Sequence, residues 1–323
     1  MYKQGVVSVI VPCYNGAKYI DRFINAILTQ SYRKIELLLI NDGSIDESEE
    51  KILSYRTSLE QSGITLKYYK QDNQGLGATI QKGLNEISGE FFTWFGIDDW
   101  PRNDYMEKAV NFLTQDEKVG VVRFDGYLIS ENDQTQILGL FAKNNHDKFN
   151  RRMFENAIEE RNFHFGYSVV RTKCFDIANR GRDIYLSKEG QNWQILLPVF
   201  YYYEAGFIDE PLYYVIEHAD SISRRAKSYD QKIVQIEEYQ NILLQTLDRM
   251  KISDGEHYKT MVKDRFAKRI FLWAVANKDF KRMKEKYQYL KKKNMLTKEE
   301  KKAYNKAFWS LEFVLYIKHK IFG

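Results

Sequence analysis

Residues 93–104 read TWFGIDDWPRND. A hydrophobic run rises to two adjacent carboxylates, Asp98 and Asp99, and Trp100 and Pro101 follow at once. Ionised side chains are costly to hold at the end of a buried strand unless something compensates them. Paired aspartates there suit a hard divalent ion, which takes oxygen ligands. Such an ion could bridge a diphosphate and act as the Lewis acid on a leaving group. The competing reading, two aspartates capping the next helix, accounts for one carboxylate but not for both beside a tryptophan.

The elements that must position this pair alternate. VVSVIVP (6–12) and KIELLLIND (34–42) are short, β-branched, unbroken runs, typical of strands buried on both faces. TLKYYKQD (65–72) and EFFTWFGID (90–98) supply a third and a fourth strand. Between them, Tyr19, Phe23, Ile27 and Leu28 share one helical face. A second helix, capped by Asp46 or Ser48, runs to about Glu60, and a third, ATIQKGLNEI (78–87), is closed by Gly89. The alternation predicts an α/β fold with a doubly wound, mostly parallel sheet. Ligands of such sheets sit at the carboxyl ends of the strands. Those ends carry Pro12, Cys13, Tyr14 and Asn15; Asn41, Asp42, Gly43 and Ser44; Asp72, Asn73 and Gln74; and Asp98 with Asp99. An aromatic ring beside a carboxylate suits a nucleobase, which stacks on the ring and donates an N–H to the carboxylate.

Composition narrows the class. The chain has 323 residues, 44% apolar and 15% aromatic, enough for a real core in one large domain or two ordinary ones. Two cysteines, Cys13 and Cys174, are too few for a disulfide framework. Neither a signal peptide nor an apolar run of membrane-spanning length is evident, so the expected location is cytoplasmic. The net charge of +5 is small but uneven, with a densely basic stretch from Lys278 to Lys306. That stretch reads as a solvated helix face or as attraction to an anionic surface. The tail AFWSLEFVLYIKHKIFG sets Phe308, Leu311, Leu315 and Phe322 near one helical face. A last helix packed on the domain and a helix resting on a membrane surface both stay open. Nucleic acid is not an expected partner.

VSVIVPCYNGAKYI, ILTQSYRKIELLLINDGSIDES, DNQGLGATIQKGLNEISGEFFTWFGIDDW and GFIDEPLYYVIEHADSISR, in this order and spacing, resemble family 2 glycosyltransferases over roughly the first two thirds of the chain. The resemblance implies a GT-A fold and a nucleotide-activated sugar as donor. Position by position, it implies that Pro12, Tyr14 and Asn15 hold the nucleotide, with Tyr14 the stacking ring. Asp42 would read the uracil edge of a UDP-sugar, and Asn73 and Gln74 would close over the nucleoside. Asp99 would bind Mn²⁺ or Mg²⁺, and Asp98 would lie near the donor sugar or ribose. His218 is expected at the metal or the diphosphate, and Arg224, followed by Arg225, at the leaving diphosphate. Lone histidines and surface arginines are also commonly structural.

Two departures stand out. Gly96 occupies the place of the usual first acid of the DxD motif. In SKEGQNWQILLPVF (187–200), Gln191 and Asn192 stand where inverting members carry an acidic pair before tryptophan. An amide cannot take a proton from an acceptor hydroxyl. Glu189 just upstream could serve as base, or another carboxylate such as Asp183, or the amides Gln191 and Asn192 could hold the acceptor sugar while a different group takes the proton. His164, Phe165 and Tyr167 could stack on that sugar or fill a core.

The expected organisation is a GT-A domain over 1–225, with a nucleotide-binding half (1–105) and an acceptor-side half (106–225). A helical region over 226–323 would contact a membrane or a second copy in a homodimer. The expected reaction moves a sugar from the donor to a hydroxyl of a saccharide or lipid-linked saccharide, with inversion. Two other readings are a nucleotide-sugar binding protein without turnover and a nicotinamide-dependent oxidoreductase. Against the latter, GLGATIQKG is only a broken G-x-G-x-x-G.

Overall fold

The computed structural model describes residues 1–142, 148–160, 166–218 and 228–308. Arg224, Arg225, His164, Phe165 and the tail from Trp309 onward lie outside the described residues. Two compact units are present: Met1–Arg225 with Gln245–Ile252, and Ala226–Leu244 with Ser253–Gly323.

The first unit runs β1 (Lys3–Cys13), α1 (Ala17–Leu28), β2 (Ile35–Asp42), α2 (Ser48–Ser54), α3 (Arg56–Gln61), β3 (Thr65–Gln71), α4 (Leu76–Glu86) and β4 (Gly89–Trp94). It continues β5 (Trp100–Pro101), α5 (Tyr105–Gln115), β6 (Val119–Ser130), β7 (Ile137–Leu140), α6 (Phe154–Glu159), β8 (Ser168–Arg171), α7 (Thr172–Ala178), α8 (Gln191–Tyr202) and β9 (Glu204–Glu217). One sheet takes the order β3-β2-β1-β4-β8-β6-β9-β5, with β7 on β6. The β3-β2-β1-β4 half is parallel. The other half is mixed: β8 runs antiparallel to β4 and β6, whereas β6 and β9 are parallel.

The continuous apolar runs have a simple cause. Val7, Val9, Ile10 and Val11 of β1 are fully buried, and every residue of β2 is buried. Helices cover both faces of a parallel sheet, so alternation disappears from its central strands. From α1, Ile20, Phe23, Ile24 and Ile27 complete the core. Each such side chain contributes about 1.5–3 kcal/mol on burial. The sheet is therefore a stiff platform for the polar loops at its carboxyl edge.

Two boundaries differ from the sequence reading. The helix expected to run to Glu60 is interrupted at Tyr55, giving α2 and α3. The fourth strand stops at Trp94, not Asp98: Phe95 N–H still donates to Ile10 O at 3.0 Å, but Asp99 N–H turns back to Gly96 O at 3.1 Å. That turn releases Asp98 and Asp99 in different directions.

Helix α9 (Tyr229–Met250) buries Ile233, Ile236, Leu243, Leu247 and Met250 at helical spacing. The second unit adds α10 (Gly255–Asn277) and α11 (Phe280–Lys292). Its core joins Phe271, Met283, Tyr287, Leu290 and Tyr304, and the Tyr287 and Tyr304 rings stack at 3.6 Å. Thr297 and Glu300 form a reciprocal cap, Thr297 N–H to Glu300 Oε2 at 2.9 Å and Glu300 N–H to Thr297 Oγ1 at 3.2 Å. Among the described residues, no helix is long and apolar enough to cross a membrane.

Candidate active site

The register fixes which loops meet. Cys13 pairs with Asn41, and Asp42 pairs with Gln71, so the loops after β1, β2 and β3 leave the same edge of the sheet. Asn15 clasps the first two. Its N–H donates to Ser44 Oγ at 2.9 Å, and its Oδ1 accepts from Ile45 N–H at 2.9 Å. Asp46 accepts from Ala17 N–H at 3.0 Å, satisfying a free donor at the start of α1. Asp46 thus serves α1 rather than only the helix it precedes. Tyr14, between these anchors, is 53% exposed and offers its ring to solvent. Pro12 is half-buried beneath it in the chain.

Asp42 is 4% exposed, and both its oxygens are engaged. Oδ1 accepts from Gln71 Nε2 (2.8 Å) and Gln74 N–H (2.9 Å), and Oδ2 accepts from Gly75 N–H (2.8 Å). It therefore shapes the loop of Asn73 and Gln74, whose side chains are exposed. A carboxylate has about four lone-pair sites, so capacity for one further donor remains. Gly43 makes the approach possible: its φ is +73°, and a Cβ there would lie 2.7 Å from Asn73 N.

The two aspartates part company. Asp99 was expected to bind the metal, but its carboxylate points into the wall of the unit and is 8% exposed. Tyr167 Oη donates to its Oδ2 at 2.5 Å and Ile216 N–H to its Oδ1 at 3.0 Å. Burial, reinforced by the neighbouring Asp98, raises its pKa well above the usual carboxylate range, against those two hydrogen bonds. Both oxygens of Asp99 are thus engaged within the protein. Tyr167 is no platform for an acceptor sugar, because its ring stacks on Phe95 at 4.2 Å within the core.

Asp98 is the outward carboxylate, 35% exposed, and its Oδ2 lies 3.0 Å from His218 Nε2. His218 Nδ1 in turn meets Glu131 Oε1 at 2.8 Å. The Tyr19 ring contacts the imidazole edge-on at 5.8 Å. A Cβ on Gly96 would lie 2.5 Å from Asp98 Oδ1, so an acid in this place would displace the Asp98 carboxylate from its present position.

Sequence reasoning missed Arg22. Its Nη2 donates to the Asp98 carbonyl at 2.5 Å, and its guanidinium lies 4.1 Å over the Trp100 ring. Burial lowers its pKa, while Asp99 and Asp98 oppose that shift. Arg22 is thus a built-in counter-charge for both carboxylates. Its one sequence signal is a cation among the core positions of α1.

At the start of α8, Asn192 Oδ1 accepts from Trp94 Nε1 at 2.8 Å, and Gln191 Nε2 donates to Ser187 O at 2.8 Å. The oxygen of Asn192 thus accepts from the protein's own Trp94. Asp183, the other carboxylate considered, pairs with Arg249 at 3.0 Å. Glu189 lies half-buried in the intervening loop. Gly77 in α4 brings that loop close, since a Cβ there would lie 2.6 Å from Ser187 O.

A divalent ion would find two protein donors, Asp98 Oδ2 and His218 Nε2, side by side. Among the described residues no group of three His, Cys, Asp or Glu side chains could hold a metal ion. Mg²⁺ commonly takes only one or two protein ligands and completes its shell with substrate phosphates and water. The pair therefore fits an ion that arrives with a diphosphate, not a permanently caged one.

Residues 8–177, more than half of the chain, match the family model described as glycosyl transferase family 2, and the chain belongs to that family. The uncharacterized glycosyltransferase RT0329 of Rickettsia typhi is 34% identical over 122 residues, covering 38% of this chain and 36% of that protein. Glycosyltransferase GlyA of Streptococcus pneumoniae is 28% identical over 196 residues, covering 57% of this chain and 27% of that one. The chain thus spans about a third or less of these relatives' lengths. The crystal structure of S. aureus TarS 1–349 in complex with UDP-GlcNAc superposes with a TM-score of 0.60 at 18% identity, over 94% of this chain and 79% of that one. At that identity the likeness establishes the fold, which is GT-A-like.

Proposed function

We propose that the protein transfers a sugar from a nucleotide donor, a UDP-sugar in our reading, to an acceptor hydroxyl with inversion at the anomeric carbon. The observation that carries this is the contact of Asp98 with His218 on the sheet edge that also presents Tyr14 and the loop held by Asp42. Tyr14 stacks on the base, Asn73 and Gln74 cover the nucleoside, and Asp98 with His218 hold a Mn²⁺ or Mg²⁺ ion. When bound, the ion neutralises charge on the departing nucleoside diphosphate.

In the single displacement, the acceptor oxygen bonds to the anomeric carbon as the bond to the diphosphate breaks. The diphosphate leaves with that electron pair. We assign the acceptor proton to Glu189, the carboxylate in the loop drawn toward α4 by Gly77. Arg224 is assigned to the diphosphate. The acceptor class is a saccharide or lipid-linked saccharide, in surface polysaccharide or glycoconjugate synthesis at the cytoplasmic membrane face. The exposed lysines of residues 278–306, including Lys281, Lys284, Lys291 and Lys298, support the membrane side of this reading.

Binding without turnover is a second reading, favoured by the engaged amide of Asn192. Thermal-shift screening with UDP, GDP, dTDP and CDP, with and without Mn²⁺, tests the donor class. A Mn²⁺-dependent rise in Tm with UDP is expected, because ligands that bind the native state stabilise it. UDP release from a donor panel separates the two readings. No shift with any nucleotide would overturn both.

A further inference from the structure

His218 is gripped at both ring nitrogens, and only one of its two partners belongs to the site described above. Nε2 faces Asp98 Oδ2 at 3.0 Å, and Nδ1 faces Glu131 Oε1 at 2.8 Å. Glu131 directly follows β6, whereas His218 directly follows β9, and these strands are parallel neighbours paired up to Ser130 and Glu217. The sheet register therefore delivers the two residues side by side. The imidazole is 18% exposed and Glu131 40%, so the acid approaches from the solvent side of a mostly buried ring.

We propose that Glu131 is a positioning residue that sets the tautomer and orientation of His218 for the cation that accompanies the donor diphosphate. An ionised carboxylate can only accept, so the contact with Glu131 places the ring proton on Nδ1. With Nδ1 held by Glu131, Nε2 is the ring nitrogen left to face the cation beside Asp98 Oδ2. Carboxylates behind metal-binding histidines act in this way generally, fixing the tautomer and increasing ligand basicity. The edge contact from Tyr19 restricts ring rotation further. This inference rests on the reading of Asp98 and His218 as the protein ligands.

The test measures binding, not turnover. Mn²⁺ binding in the presence of UDP is followed by electron paramagnetic resonance for the parent protein, Glu131→Ala, Glu131→Gln and His218→Ala. Loss of the carboxylate in Glu131→Ala weakens Mn²⁺ roughly 10–100-fold. Glu131→Gln, whose amide oxygen still accepts from Nδ1–H, recovers much of the affinity. Ring ¹⁵N shifts of His218 with UDP and diamagnetic Mg²⁺ present, assigned by their loss in His218→Ala, report an Nδ1–H tautomer in the parent and in Glu131→Gln, and a tautomer mixture in Glu131→Ala. If His218→Ala weakens Mn²⁺ while Glu131→Ala leaves both affinity and ring shifts unchanged, the role of Glu131 is wrong. If neither variant alters Mn²⁺ binding, the assignment of His218 as a ligand fails, and this inference with it.

Discussion

Asn192 Oδ1 accepts the indole N–H of Trp94 across 2.8 Å, joining the first turn of α8 to the end of β4. Trp94 is 5% exposed, so its N–H has little access to water as a substitute. Removing the acceptor should cost about 1–3 kcal/mol, the penalty for a buried donor left unmade. Asn192→Ala is therefore expected to lower Tm clearly, and Asn192→Asp to keep most of the stability because a carboxylate also accepts. Chemical denaturation of both variants checks this; equal losses would show that the indole bond is not the cause.

The two adjacent aspartates should separate by phenotype. Asp98→Ala is expected to leave Tm nearly unchanged and to weaken Mn²⁺-dependent UDP binding at least about tenfold, or 1.4 kcal/mol. Asp99→Ala strands Tyr167 Oη and Ile216 N–H in the interior and should cost about 2–5 kcal/mol of stability. Calorimetry for binding and thermal melts for stability give the comparison. The reverse pattern would return the metal to Asp99.

Glu189→Gln removes the assigned proton acceptor without changing side-chain size. We expect kcat to fall about 10²-fold or more, with the acidic limb of its pH profile lost and UDP affinity unaltered. A loss of UDP affinity with kcat preserved would place Glu189 in donor binding instead.

Arg22 supports the carboxylate pair through geometry that lysine cannot copy. Its planar guanidinium lies over Trp100 while Nη2 reaches the Asp98 carbonyl. Arg22→Lys should therefore behave much like Arg22→Gln, with each variant losing stability and Mn²⁺·UDP affinity together. Full rescue by lysine would mean that net charge alone suffices there.

Stability at low pH should depend on Glu36, which is 1% exposed and lies between Lys67 at 2.9 Å and Lys3 at 3.4 Å. Burial opposes its ionisation, but hydrogen bonds from Ser88, Lys67 and Ser8 prevail and lower its pKa from 4.5 to about 2. Its folded-state pKa lies below the unfolded value. The stabilisation is thus complete above about pH 5 and disappears as pH falls toward 2. The parent protein should lose up to about 3 kcal/mol over that window through this group. Glu36→Gln should be less stable at neutral pH and show a flatter acid limb in urea melts at stepped pH.

How much of this was legible in the sequence varied with the range of the interactions. VVSVIVP and IELLLIND declared β1 and β2 because strands buried on both faces need no alternation. The end of β4 was read too long, since TWFGI stays apolar after its ladder partners have run out. Which aspartate faces outward was not legible: adjacent carboxylates have the same chemistry, and a backbone turn at Gly96–Asp99 decides between them. Arg22 and Asp98 are 76 residues apart, and no local pattern announces a contact of that span. The polar loops were easier, because NDGS and DNQG carry turn residues beside strands already recognised. Asn15 and Asp42 nonetheless spend their polar atoms largely on neighbouring backbone, a division of labour that residue type alone does not reveal.

The missing side chain at Gly77 ties the history of two segments together. With only 2.6 Å between a notional Cβ and Ser187 O, any larger residue must shove the 186–187 backbone away from α4. Substitution there would reach the nucleoside loop on one side and the Glu189 loop on the other in a single step. On the proposed assignments, donor binding and proton transfer are therefore coupled through this one position, and engineering that redesigns either loop should begin by leaving this glycine alone.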